Sequence, residues 1–261
     1  MIVELWRGKS ALDGSPVALL ANMRSGNNKI GSSMIATYIW PINQAPSVGR
    51  GGGSMCPAGC PALTFCMNND YPSVSAYDNS WRLQVASGRA QRVPRSAWRH
   101  FLRGRSIRFG VDGDCGALPL SVVQAMVKAS GRPVADHTAY THAHHRTDLN
   151  FLFMASCESF SQVPVLESAG WKCFVSVPVP GWSGRHDTFD GGKLSYLRKT
   201  IRQAVADHGI SRPVVVCPNY ISGVQCGQCL LCNRDRGRAH IVAPLHGAGG
   251  IRFTRQSSLA V

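Results

Sequence analysis

The chain has 261 residues, a mass of 28.2 kDa and 44% hydrophobic residues, enough for a substantial core, which excludes a disordered or fibrous polypeptide. Lys and Arg number 28 against 14 Asp and Glu, a formal charge of +14, although charged residues make up only 16% of the chain. The excess comes from missing acids, so a polyanion, a nucleic acid or nucleotide, is the expected class of partner. No apolar run reaches the roughly 18 residues needed to cross a bilayer. Met1-Ile2-Val3-Glu4 also lacks the basic start and apolar stretch of a signal peptide. No membrane partner is expected, and the chain reads as soluble and cytoplasmic.

Residues 1–33 are an N-terminal segment. Apolar, β-rich runs then recur at 34–40, 106–111, 134–140, 151–157, 172–177 and 213–217, with a further one at 241–245. Most lack strict alternation, as strands buried on both faces do. Helices are predicted at 118–130, ended by Gly131-Arg132-Pro133, and at 193–208, ended by Gly209. In the second, Leu194, Leu197, Ile201, Ala204 and Val205 share one face. Strand, helix, strand in succession implies parallel crossovers: an α/β fold, either an open doubly wound sheet or a whole or partial barrel. Residues 34–216 form this unit and 217–261 a C-terminal extension.

In such folds chemistry gathers at the carboxyl ends of the strands. The unusual residues fall there. Gly49-Arg50-Gly51-Gly52-Gly53 and a Cys-rich loop over 56–66 follow the first run, Asp112-Gly113-Asp114 the second, Thr141-His142-Ala143-His144-His145 the third, Glu158 the fourth and Cys217 the sixth.

Seven of the ten cysteines are clustered. Cys217, Cys226, Cys229 and Cys232 are spaced Cys-x8-Cys-x2-Cys-x2-Cys, a four-thiolate set suited to a [4Fe-4S] cluster or to zinc, with His240 and His246 near enough to replace a thiolate around zinc. Cys56, Cys60 and Cys66 supply three ligands. Three leave an open position, on zinc for water or substrate, on a cluster for a cofactor, unless a distant ligand closes the site. Cys115, Cys157 and Cys173 stand alone and read as small buried hydrophobes.

Asp112 and Asp114 flank a glycine and can present two oxygens to a ligand or hold one as a nucleophile, although turn chemistry also selects Asp-Gly-Asp. His142 and His144 share one side of an extended segment, a geometry for a metal or an anionic substrate, or a solvated loop. We single out Asp112, Asp114 and His142 as candidate catalytic residues. Between Asn79 and Val111 there is no acid, while arginines alternate with Trp81 and Trp98. This basic insertion, 79–108, is the candidate nucleic-acid contact, with Arg95, Arg99 and Arg103 on phosphates and Trp98 stacked on a base.

The strand at 34–40 followed by Cys56-Pro57-Ala58-Gly59-Cys60-Pro61-Ala62-Leu63-Thr64-Phe65-Cys66, with Phe65 before the last cysteine, resembles the cluster loop of radical S-adenosylmethionine (SAM) enzymes. Residues 106–114 resemble their second strand, with its cofactor-binding end, and Phe153-Met154-Ala155-Ser156-Cys157-Glu158-Ser159 their fourth. The spacing departs from that family's Cys-x3-Cys-x2-Cys, and Asp114 stands where a Glu is usual. The resemblance implies a partial parallel (β/α)6-type barrel and a [4Fe-4S] cluster on Cys56, Cys60 and Cys66 whose open iron binds SAM. It also implies cofactor contacts at Gly110, Gly113, Asp114 and Ser156, and an auxiliary cluster on the C-terminal cysteines.

The chain also resembles a family of uncharacterised bacteriophage proteins. The matching segments are Lys29-Ile30-Gly31, the Cys-rich loop, Gly113-Asp114, Tyr140-Thr141-His142, Met154-Ala155-Ser156 and the closing cysteines with His246-Gly247. That resemblance implies a host cytoplasm. Two other functions fit the residues: a zinc-containing base-exchange enzyme similar to the tRNA-guanine transglycosylases, with Asp112 or Asp114 as nucleophile, and a non-catalytic nucleic-acid-binding protein stapled by its metals.

Overall fold

A computed structural model describes residues 1–24, 29–50, 52–64, 66, 73–182, 188–232 and 238–245. Its strands are β1 (Ile2–Lys9), β2 (Pro16–Asn22), β3 (Met34–Pro41), β4 (Gln91–Arg92), β5 (Ser106–Asp112), β6 (Tyr140–Thr141), β7 (Met154–Cys157), β8 (Cys173–Val177), β9 (Val214–Val216) and β10 (His240–Pro244). The helices are α1 (Pro46–Gly49), α2 (Ser73–Trp81), α3 (Trp98–Leu102), α4 (Leu120–Ser130), α5 (Val163–Ser168), α6 (Gly191–His208), α7 (Asn219–Ser222) and α8 (Cys226–Cys229).

The strands form two sheets, ordered β4-β1-β2-β3-β5 and β6-β7-β8-β10-β9. A single parallel bridge, Arg108 to Thr138, joins them, with Phe109 N–H donating to the Thr138 carbonyl at 2.9 Å. Apart from the antiparallel β1–β2 and β2–β3, every pairing is parallel. Among the described residues the sheets do not close into a barrel, and the fold is a mixed α/β arrangement. Of the predicted strands, the one at 134–140 is largely absent, β6 beginning only at Tyr140; the others are found, with β10 inserted between β8 and β9.

Three differences have local causes. The N-terminal segment holds the antiparallel pair β1 and β2, which extends the sheet beyond β3. Between 134 and 140 the chain opens as a 3-10 turn over Val134–Asp136, because Pro133 has no N–H to give a ladder and the Asp136 carboxylate is clasped by Arg132 at 2.7 Å; pairing resumes only at Thr138. Helix α4 starts at Leu120 rather than 118 because Pro119 occupies its N-cap.

Alternation of side chains across the strands separates two faces. Ile35, Ile39, Ile107, Phe109, Ala155, Cys173, Val175 and Val242 belong to the main core, together with Val122, Val123 and Met126 of α4 and Leu197 and Ile201 of α6. The lone Cys115, Cys157 and Cys173 are buried there as expected. The other face carries Tyr38, Trp40, Arg108, Asp112, Tyr140, His142, Ser156 and Glu158. Their mutual contacts establish that they share it: Trp40 with Asp112, Arg108 with Tyr140, His142 with Glu158. This, the more polar of the two faces, also holds two small apolar clusters, one around Trp40 and one around Met34 and Ala36.

His137, at the seam between the sheets, is fully buried and its Nδ1 accepts the Ile107 N–H at 3.1 Å. Burial pushes its pKa down from the ordinary 6.5 to about 4. The folded state therefore holds this imidazole neutral while the unfolded chain takes up a proton. The resulting stability is complete above pH 6.5 and is lost as the pH falls toward 4. We expect urea unfolding to show the wild type losing up to about 3 kcal/mol more than His137→Gln across that window; equal losses would remove His137 as the acid-sensitive element.

Candidate metal centres on the polar face

The four C-terminal cysteines meet on the polar face. Cys217 ends β9, α8 carries Cys226 and Cys229, and Leu230 turns the chain back in the left-handed region at φ 51° so that Cys232 follows into the same space. All four line one small cavity of about 10 Å³ with Thr138. Leu230 packs on Met34 and Ala36 of β3, and Cys226 N–H donates to the Lys29 carbonyl at 2.8 Å, which seats the extension against the sheet.

Two partly buried cations lie beside these cysteines. Lys29 Nζ donates to the Tyr220 hydroxyl at 3.2 Å and lies 4.5 Å from that ring's centre. The Arg108 guanidinium lies 4.0 Å from the centre of the Tyr140 ring. Burial works against charge on Lys29, yet Tyr220, Cys217 and Cys226 outweigh it and hold the pKa above the ordinary value. Arg108 behaves likewise, with Tyr140 and Cys226 outweighing burial. Burial raises the Cys217 thiol and pushes Cys232 up to about 12. Two positive charges facing thiols favour loss of the thiol protons, which ligation requires.

Among the described residues, no three His, Cys, Asp or Glu side chains converge on one ion position. Zinc needs its four sulfurs about 3.8 Å apart, from tetrahedral bonds of about 2.3 Å.

The other three cysteines lie above the ends of β5 and β6. Burial, with Asp114 and Asp112 and the neighbouring Cys66 and Cys60 adding to it, pushes the Cys56 thiol well up. The loop is tied to the sheet where Asp114 N–H donates to the Met55 carbonyl at 2.6 Å. The Asp114 carboxylate accepts from Gly116 N–H at 2.7 Å, Thr141 Oγ1 at 2.5 Å and His142 N–H at 2.7 Å. The turn that aims it depends on Gly113, at φ +84°, where a Cβ would meet the Ile39 carbonyl oxygen at 2.2 Å; Gly110 is similarly confined by the Gly113 carbonyl.

Asp112 is 1% exposed. It accepts from Trp40 Nε1 at 2.7 Å and from Arg50 Nη2 at 3.1 Å. Thus Asp112 and Asp114 act in this structure as acceptors that fix Arg50, the cysteine loop and β6. His142 Nε2 bonds Glu158 Oε1 at 2.6 Å. Burial opposes its protonation, but the Cys60 thiol and Glu158 raise its pKa to about 10. His144 turns away and bonds the Ser156 carbonyl at 2.8 Å. Along β6, Tyr140 meets Cys232 and His142 meets Cys60. Two residues of one strand, about 7 Å of rise, therefore separate contacts with the two thiol groups.

Two groups here have unused hydrogen-bonding capacity. Arg50 Nε and Nη1 and Glu158 Oε2 are buried with no hydrogen-bond partner among the described residues. One is a donor set and the other an acceptor. Arg50, Lys29, Arg108 and Tyr140 were absent from the expected site. An arginine inside a Gly-rich loop after a strand was the available sign for Arg50; the others are visible only once strands are paired. Phe65, His246 and Gly247 lie outside the described residues.

The basic insertion differs from expectation at one position. Arg95, Arg99 and Arg103 are exposed, but Trp98 is 2% exposed and donates from Nε1 to the Val93 carbonyl, so its ring belongs to the core and offers no stacking face. Comparison of the chain with protein-family models, curated proteins and solved structures finds no match.

Removing the Asp114 carboxylate leaves three donors without their acceptor. Asp114→Ala should cost about 3 kcal/mol or more in urea unfolding, and Asp114→Asn, which keeps one acceptor oxygen, should cost distinctly less. A loss below about 1 kcal/mol for the alanine variant would deny Asp114 its role as the clasp.

Proposed function

We propose that the chain is an iron–sulfur enzyme of radical-SAM-like type, with its parallel strands serving as a divergent partial (β/α)6-type barrel. The observation that carries this reading is the convergence of Cys217, Cys226, Cys229 and Cys232 on one small cavity, with the partly buried Lys29 and Arg108 beside these thiols. A four-thiolate cluster is anionic and answers both cations.

Cys56, Cys60 and Cys66 would hold the second cluster at the carboxyl ends of the strands. When bound, the cluster and SAM supply the electron and the radical chemistry; the chain supplies binding, orientation and exclusion of water. The unpartnered Arg50 donors and Glu158 oxygen fit a cofactor that carries both an anionic and a cationic group. Asp112 fixes the Arg50 guanidinium, and Gly110, Gly113 and Ser156 supply close backbone and side-chain approach. His142 holds a proton between Cys60 and Glu158.

Protein purified without oxygen should be brown, with about eight irons and eight sulfides. Cys60→Ala should lose SAM binding and about half the iron, and Cys229→Ala the other half together with stability, since a four-ligand site contributes folding energy. Colourless protein carrying zinc would overturn the proposal and favour the base-exchange chemistry.

A further inference from the structure

A second surface lies on the opposite side of the molecule. Helix α4 presses Val122, Val123 and Met126 into the helix-side core, so its Ser121, Gln124 and Lys128 point outward. There they meet the turn and helix of the basic insertion in an open groove of about 480 Å³, lined by Arg95, Arg99 and Lys128 and containing no acidic side chain. Arg95 reaches across it and donates from Nη2 to the Ser121 carbonyl at 3.0 Å.

These cations have no acidic partner, whereas several other arginines of the chain do. Arg7 and Arg92 share Glu4, Arg132 holds Asp136, Arg146 holds Asp148 and Arg212 holds Glu167. None of Arg95, Arg99, Arg103 or Lys128 is in an ion pair with any described residue. Like charges gathered in one groove without compensation repel one another and offer an anion a favourable place. The single aromatic ring of the lining, Trp98, is buried, so the groove has charge and hydrogen-bond donors but no platform for a base.

We propose that this groove docks the phosphate backbone of a nucleic acid, independent of sequence, at a site separate from the two thiol centres. The chemistry of the groove selects phosphates rather than bases: guanidinium forks, an ammonium and no stacking surface. The docked strand is then a tether that holds the protein on nucleic acid. It does not depend on which metal the cysteines take.

The test is fluorescence anisotropy of a short mixed-sequence DNA duplex and its single strand, titrated with full-length protein over a range of salt. The duplex should bind with a steep inverse salt dependence. Arg95→Gln/Arg99→Gln/Lys128→Gln should flatten the log–log slope by roughly two to three. The matched control is Arg198→Gln/Lys199→Gln/Arg202→Gln on α6, which removes the same charge elsewhere and should leave the slope within about one unit of the wild type. Metal content of the groove variant should equal that of the wild type, which separates failure of docking from failure of the metal centres. Equal flattening by both triple variants would reduce the effect to net charge and overturn the groove. So would an unchanged slope in the groove variant, or equal affinity for anionic phospholipid vesicles and for DNA.

Discussion

The Asp114 carboxylate ties together the parts of this molecule that matter for chemistry. Its oxygens gather Gly116 N–H, Thr141 Oγ1 and His142 N–H, while its own N–H holds Met55 at the root of the cysteine loop. One buried side chain thereby fixes the end of β5, the end of β6 and the approach of Cys56. In a low-dielectric interior three donors on one carboxylate are strong individually and costly to leave unmade. The two-residue strand β6 has little ladder of its own, and this clasp defines where His142 and Tyr140 stand.

From that clasp follows the electrostatic layout of the polar face. Cations and thiols lie in mutual reach around the C-terminal cavity, and carboxylates, an imidazole and an arginine surround the second cysteine group. Burial alone drives each of these groups toward neutrality. Lys29, Arg108 and His142 nevertheless hold their protons because acidic partners surround them. A face assembled from mutually dependent charges is expensive for a structural scaffold, whereas it suits a site whose ligand completes the balance.

Much of this was legible in the sequence, for a physical reason: residues with few conformational alternatives signal their position. The apolar runs at 34–40, 106–111 and 172–177 became β3, β5 and β8, and placing chemistry at strand carboxyl ends correctly gathered Asp112, Asp114, His142 and Glu158. What was not legible depended on pairing. Val17 to Ala21 is as apolar as any strand of the core, but its partner is the alternating β1, whose Glu4 is buried by two arginines rather than exposed. Trp98 offered a stacking aromatic on composition alone; its burial follows from the packing of α3 against α4, which no local pattern records. Lys29 lies almost two hundred residues from the cysteines it faces, so its role emerges only from the fold.

The central claim is that two cysteine centres occupy the polar face, bridged by β6. Anomalous diffraction at the iron edge from crystals grown without oxygen addresses it directly. Two peaks are expected, one surrounded by Cys217, Cys226, Cys229 and Cys232 and the other by Cys56, Cys60 and Cys66 near His142. A single peak elsewhere, or a signal that appears only at the zinc edge, would contradict the account.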